Sequence, residues 1–336
     1  MTTLLETPPE QLDRPSLPPA RGPLSAAVLA LLRGEPVAAP ATGHADPYGD
    51  DLHLALHLCY ELHYRGFAGV DDALEWDLRQ LAFRAALEER FLAALRADVP
   101  GGEDVDAAVA ELLVEPVDGT GVSHHLAREG EPWQFREYIA QRSHYHRKEA
   151  DPQAWVIPRL QGQAKAGLVT VEHDEYGGGR GQHMHSTLFA AMMTELGLDP
   201  TYGAYLAVIP APVLAEVNFQ TLCGLRRGLR GASVGQFALI ELTSSPGSAR
   251  LVRAAQRLGL GPATEHFYAE HVEADAGHEQ ILRHDVLRPL LTLEPRLARD
   301  VVLGIQGGTL LGDRFGEALL GAWSAGGSSL LGPLAD

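Results

Sequence analysis

With 336 residues the chain can form one large domain or two ordinary ones, and in either case can bury a substantial core. Its 44 acidic against 27 basic side chains leave a formal charge of −17, which argues against nucleic acid or an anionic membrane surface as partner, since both recruit basic patches. Two cysteines, Cys59 and Cys223, stand without a CxxC neighbour, which argues against a disulfide framework or a thiolate zinc site and fits a reducing cytoplasm.

No basic stretch followed by an apolar core opens the sequence, and no uncharged apolar window is long enough to span a bilayer, so a soluble cytoplasmic protein is expected. Residues 1–45 are rich in proline and read as a flexible arm or a strap on the body, with one or two helical turns over Leu24–Leu32. Residues 46–130 read as an N-terminal helical subdomain, 131–325 as the main body and 326–336 as a tail.

The first strong helix runs from Leu52 to His63, before Gly66. His53, His57 and Glu61 share one stripe of it. The stripe is read as polar groups neutralised within a helix packed through Leu54, Leu56 and Leu58, with a metal-binding face as the rival. Helices over 74–97 and 105–113 follow, separated by Pro100-Gly-Gly-Glu-Asp104. Pro132 opens a helix that carries Glu149 in its last turn and ends at Asp151-Pro152. A carboxylate at the negative end of a helix expects a cation, from a bound metal or from Arg147 or Lys148. A helix over 154–172 leads into Asp174-Glu-Tyr-Gly-Gly-Gly-Arg180-Gly-Gln-His-Met-His185, after which Ser186–Leu196 is helical again. On an unbroken helix Glu175 and His185 would lie roughly 15 Å apart; the glycine break can fold them together. The same glycines suit a phosphate cradle poorly, because no strand precedes them and no Gly-Lys-Ser/Thr ending follows. Helical periodicity continues over Pro212–Leu225, 235–242, 251–258, from Thr264, as cap, to about Leu291, and over 296–323. No alternating or β-branched run marks a strand, so the class is all-α.

His271, Asp275 and His278, at i, i+4 and i+7, fall on one helical stripe. With Glu149, Glu175 and His185 they make three carboxylates and three imidazoles. Six N/O ligands without a thiolate suit two iron or manganese ions better than a closed structural zinc. Paired Glu-x-x-His motifs of the ferritin type are absent.

The sequence resembles the haem-oxygenase-like di-iron oxidases and oxygenases, in particular the actinobacterial-type "iron-containing redox enzyme" group. The resemblance rests on Arg147-Lys-Glu-Ala-Asp-Pro152, Pro158-Arg-Leu-Gln-Gly-Gln-Ala-Lys165, Asp174–Arg180 with Met184-His185 and Leu188-Phe189, and His271-x3-Asp275-x2-His278, and covers about Trp133 to Trp323. It implies a haem-oxygenase-like bundle of about seven core helices with an N-terminal helical extension. It implies Glu149, Glu175, His185, His271, Asp275 and His278 as ligands of two Fe(II), or of a mixed Mn/Fe pair, with O2 as co-substrate and Asp275 and His278 on the more labile second site. Relatives carry out N-oxygenation, oxidative decarboxylation or C–C cleavage, so a small-molecule substrate is implied but not its identity. An external electron donor and a homodimer are compatible with this reading.

Tyr145, Tyr176, Arg159, Lys165, Arg180 and Glu241 are candidates for substrate contact or for supporting the ligands. Against each stands packing or ion pairing, for Glu241 with a group such as Arg226. His183, His144 and His146 are expected to face away from the centre. Two rival functions remain: an HD-type metal phosphohydrolase using His173-Asp174, His284-Asp285 and Asp275 or Asp300, and a non-enzymatic helical protein, including a haem binder with His144 or His146 as axial ligand.

Overall fold

Leucine and alanine recurring at three- and four-residue intervals dictate helices, and the computed structural model bears this out over the residues it describes, 14–38, 40–114 and 119–334, with no strand among them. The helices are α1 (Pro23–Leu32), α2 (Asp50–Glu61), α3 (Leu78–Asp98), α4 (Val105–Leu112), α5 (Val122–Arg128), α6 (Pro132–His146) and α7 (Asp151–Ala154). They continue with α8 (Gly162–Glu175), α9 (His185–Glu195), α10 (Ala211–Leu225), α11 (Arg230–Leu258), α12 (Pro262–Ile281), α13 (Arg288–Leu293) and α14 (Ala298–Ser324).

Several boundaries differ from the sequence reading. α3 begins at Leu78 because the Asp77 carboxylate accepts from the N–H groups of Arg79 and Gln80 at 2.8 and 3.2 Å. The helix expected over 154–172 starts only at Gly162: Pro158 lacks an N–H, and Gly162 takes a left-handed φ of 55°. The two helices expected over 235–258 are one, and α11 passes through Pro246. The helix expected to reach Leu291 widens to a π-turn over Leu282–Leu287 just before Pro289, whose ring would otherwise press on the preceding turn.

α11 stays unbroken because α12 and α14 flank its length. A Cβ on Gly235 would strike the Val301 carbonyl, and one on Gly304 the Ala232 carbonyl, so α11 and α14 cross almost backbone to backbone. One hydrophobic cluster unites Leu29, Leu54 and Phe91 of the N-terminal helices with Phe135, Phe219, Phe267 and Leu319 of the main body. A second joins Leu168, Phe237, Val286 and Val301 around α8, α11 and α14. Of the proline-rich segment, residues 14–38 form a strap: α1 is buried on α2, and Asp51 accepts from the N–H groups of Leu24 and Ser25 at its N-terminus. Residues 1–13 lie outside the described residues.

Candidate metal centre

The α12 stripe faces inward as its spacing demands, and His271, Asp275 and His278 are all buried. What fixes α12 is Glu195 at the end of α9. Its carboxylate accepts from the N–H groups of Ala263 and Thr264 at 2.8 and 2.9 Å and from the Thr264 hydroxyl at 2.7 Å. Thr264 is therefore not the cap expected of it: its hydroxyl donates to Glu195, and the residue at the helix start is Gly261.

Glu149 stands beyond the end of α6, not in its last turn. After His146 the chain turns through Ala150 in the left-handed region (φ 72°) and enters α7 at Asp151-Pro152. That turn swings the Glu149 carboxylate back, so that Oε1 lies 2.8 Å from His146 Nδ1 and 3.8 Å from His271 Nε2. The histidine expected to face away is thus part of the cluster. Its ring stacks on Phe189, centroids 4.7 Å apart and planes inclined by 23°.

The glycine break performs the folding expected of it. Gly177, Gly178 and Gly179 all take positive φ, and the chain reverses through two short 3-10 turns into α9. His185 Nδ1 arrives 2.7 Å from Glu175 Oε2, in ion-pair rather than hydrogen-bond alignment, and its ring centroid is 4.4 Å from that of His271.

Glu241 comes from α11. Its Oε2 lies 2.9 Å from His278 Nδ1, which is also 3.4 Å from Asp275 Oδ1 and 3.6 Å from Glu175 Oε1. Arg226, its suggested partner, pairs with Glu88 instead. Ser244, one turn on from Glu241, donates to Asp275. The ligand-type atoms gather in three groups, each within 4.8 Å: His146, Glu149 and His271; Glu149, Glu175 and His185; Glu175, Glu241, Asp275 and His278. Glu149 and Glu175 each belong to two groups, so the cluster is continuous.

These residues fit metal ions. Glu149 Oε2, His185 Nδ1 and His271 Nε2 are buried without a hydrogen-bond partner among the described residues, which is costly unless a cation meets them. His271 Nδ1 is 2.7 Å from the Phe267 carbonyl and so is the nitrogen that carries a proton, leaving Nε2 for a metal. His278 Nε2 similarly faces Asp174 Oδ2 at 3.3 Å, which orients Nδ1 toward the carboxylates.

Protons balance this charge within the protein. Burial opposes protonation of His271, yet Glu149, Asp275 and Glu175 push its imidazolium up to about 10. Burial likewise opposes that of His278, and Asp275, Glu241 and Glu175 push it up to about 11. Burial, with Glu175 and Asp275 beside it, raises Glu241 to about 8 against the pull of His278. Glu149 moves the other way: despite burial, His146 and His271 hold its carboxyl well below the usual range.

The supporting candidates divide. Tyr145 is buried, its hydroxyl pushed far up by burial and by the Glu149, Glu241 and Glu175 carboxylates. Tyr176 donates to Asp151 Oδ1 at 2.9 Å. Arg159 is not at the centre: it donates to the carbonyls of Gly224 and Leu225 and so closes the end of α10. Arg180 is exposed and Lys165 half-buried. The stripe on α2 is buried; His53 and Glu61 are satisfied from their surroundings, while His57 Nδ1 has no hydrogen-bond partner among the described residues. His53 meets the Pro47 carbonyl and Asn218, while Glu61 accepts from Lys148 Nζ at 3.1 Å and from the Tyr202 hydroxyl at 2.9 Å. It forms no metal group among the described residues. His183, His173 and His284 are exposed, so the histidines of the phosphohydrolase dipeptides stay outside the buried centre, although Asp174 reaches it through His278. His144 is buried beside His57, 5.6 Å between centroids, away from the cluster.

The cluster draws on residues 146–278, and residues 136–313, which include all of them, match the family model described as iron-containing redox enzyme. The chain belongs to that family. It is an iron-dependent oxidoreductase, and its all-α architecture is the haem-oxygenase-like fold. No curated protein matches the sequence. Among the described residues no helix is long and apolar enough to cross a membrane.

Proposed function

We propose that this family member is a non-haem di-iron oxidase or oxygenase that uses O2 to oxidise a small molecule. The supporting observation is the continuous buried cluster in which Glu149 and Glu175 are each shared between groups while three ligand-type atoms have no hydrogen-bond partner among the described residues. Such sharing suits two ions held side by side. In this reading Glu149, His185 and His271 would hold one ion and Asp275, Glu241 and His278 the other, with Glu175 within reach of both. His146 holds Glu149 through its 2.8 Å contact, or adds a ligand to the first ion.

Bound there, a ferrous pair supplies reducing equivalents and open positions for O2. The chain's own residues do the rest. Phe189 and Phe267, fully buried against His146 and His271, wall one side with apolar surface and exclude water. Asp174 and the Phe267 carbonyl fix the orientation of His278 and His271. Tyr145, beside three carboxylates, keeps its phenol proton as a donor within the site.

Replacing His271 by Ala tests the reading: the variant is expected to lose tight iron binding. A His271→Ala protein that still holds two irons and still consumes O2 would refute it.

A further inference from the structure

Away from the cluster, the N-terminal strap closes a small pocket whose walls include Pro15, His57, Glu61, His144, Lys148 and Tyr202. Its volume is about 10 Å³, room for one water-sized body. Gly203 forms part of the wall at a left-handed φ of 72°, and a Cβ there would sit 2.8 Å from Pro15 Cβ, so the strap is pressed close. None of the lining residues belongs to the metal-competent groups.

The polar walls are short of acceptors. His57 Nδ1 and His144 Nε2 have no hydrogen-bond partner among the described residues, on side chains 3% and 5% exposed. Their ring centroids are 5.6 Å apart, close enough for one small body to meet both. Lys148 Nζ carries three N–H groups, and Glu61 Oε2, at 3.1 Å, is the one side-chain acceptor it meets among the described residues. Glu61 is already served: Oε2 also accepts from the Tyr202 hydroxyl at 2.9 Å, and Oε1 from the Arg65 N–H at 3.3 Å. Ser143, the other hydroxyl of the wall, donates to the Ala140 carbonyl at 2.6 Å.

Charge decides what suits the space. The charged side chains that bear on both imidazoles, Lys148 and Arg21, are cations, which disfavours a metal ion between the rings. An imidazole can place a proton on the nitrogen that faces a guest, so the two rings and the lysine together make a donor set. Shut off from water, such donors hold an electron-rich guest more strongly than they would in solution. Oxoanions such as phosphate are too large for the volume.

We propose that this pocket binds a monoanion of halide size, such as chloride, held by N–H groups of His57, His144 and Lys148. The assignment is independent of the metal reading.

The test exchanges chloride for gluconate, which is too large to enter, at constant ionic strength. Raising chloride from about 1 to about 100 mM should raise Tm, because an anion that binds only the folded chain stabilises it as its site fills. Crystals equilibrated with about 100 mM bromide should show an anomalous bromide peak between His57 and His144, since that concentration fills a millimolar site. His144→Leu, folded by circular dichroism, should lose both the peak and the chloride-dependent rise in Tm. His144→Gln, which keeps an N–H donor, should retain both. A wild-type Tm equal in chloride and gluconate, no bromide peak in wild-type crystals, or a water or metal ion at that position in the bromide crystals overturns the assignment. The wild-type diffraction result decides the question even where neither variant folds.

Discussion

Glu241 Oε2 and His278 Nδ1 meet at 2.9 Å, and the contact ties α11 to α12 at the heart of the cluster. It makes Glu241 a member of the centre through the same His278 nitrogen that faces Asp275 and Glu175. Glu241→Ala is expected to bind one iron tightly and to hold the second at least about tenfold more weakly, as loss of one carboxylate from a shared site implies. Metal counting after desalting checks this; two retained irons would remove Glu241 from the ligand set.

His146 is expected to matter without being essential. It contacts Glu149 at 2.8 Å and stacks on Phe189. His146→Asn should lower iron affinity about 10- to 100-fold, the usual effect of losing a group that orients a ligand, with the fold intact by circular dichroism.

Iron uptake should release protons. His271 and His278 titrate at about 10 and 11 in the protein alone, so at neutral pH both are imidazolium. A metal ion must displace a proton from each nitrogen it takes, so affinity rises as pH rises and falls as pH drops. A pH-stat titration with Fe(II) near neutral pH should record proton release on metal binding, and an apparent affinity that strengthens as the solution is made more alkaline; uptake without proton release would contradict the assignment.

The glycine turn sets the distance between Glu175 and His185. A Cβ on Gly177, at φ 68°, would sit 2.5 Å from the His183 carbonyl carbon. Gly177→Ala should cost on the order of 1–3 kcal/mol in stability and misplace His185. Lowered Tm with reduced iron stoichiometry is the expected pair of results; unchanged values in both would show that the turn can relax.

Glu172 gives a prediction about stability with opposite sign. Its folded-state carboxyl titrates at about 9, above its ordinary 4.5, so between those values the folded chain binds a proton that the unfolded chain does not. Stability carried by this group therefore falls as pH rises from about 4.5 to 9. Glu172→Gln removes that dependence and should stabilise the chain in mildly alkaline solution, by on the order of 1–3 kcal/mol, read as a higher Tm than wild type.

The parts of the centre legible in the sequence are those written as local spacing. His271, Asp275 and His278 share a face because a helix repeats every 3.6 residues, and Glu175 and His185 flank a glycine cluster that announces a bend. His146 is hidden because α6 ends at that residue: helical spacing places it away from the core, but the turn through Ala150 brings Glu149 back onto it. Glu241 reads only as a supporting candidate, since a lone acid in an apolar run carries no motif. The available signal is Ser244, on the same face one turn later, but Ser-Ser-Pro-Gly reads as a break and α11 is continuous there. Helix existence is readable throughout; the ends are set by single groups such as Asp77, Glu195 and Pro289 that periodicity does not weigh.

The central claim is two irons in this cluster, reactive toward O2. The most direct measurement loads the protein with Fe(II) without oxygen, counts the metal, and mixes the sample with O2 under rapid optical monitoring. The expected result is a pair of irons in each chain, a visible absorption transient that requires both iron and O2, and loss of both properties in His271→Ala. A wild-type chain that retains no iron, or that holds it and gives the same optical trace with and without O2, would contradict it.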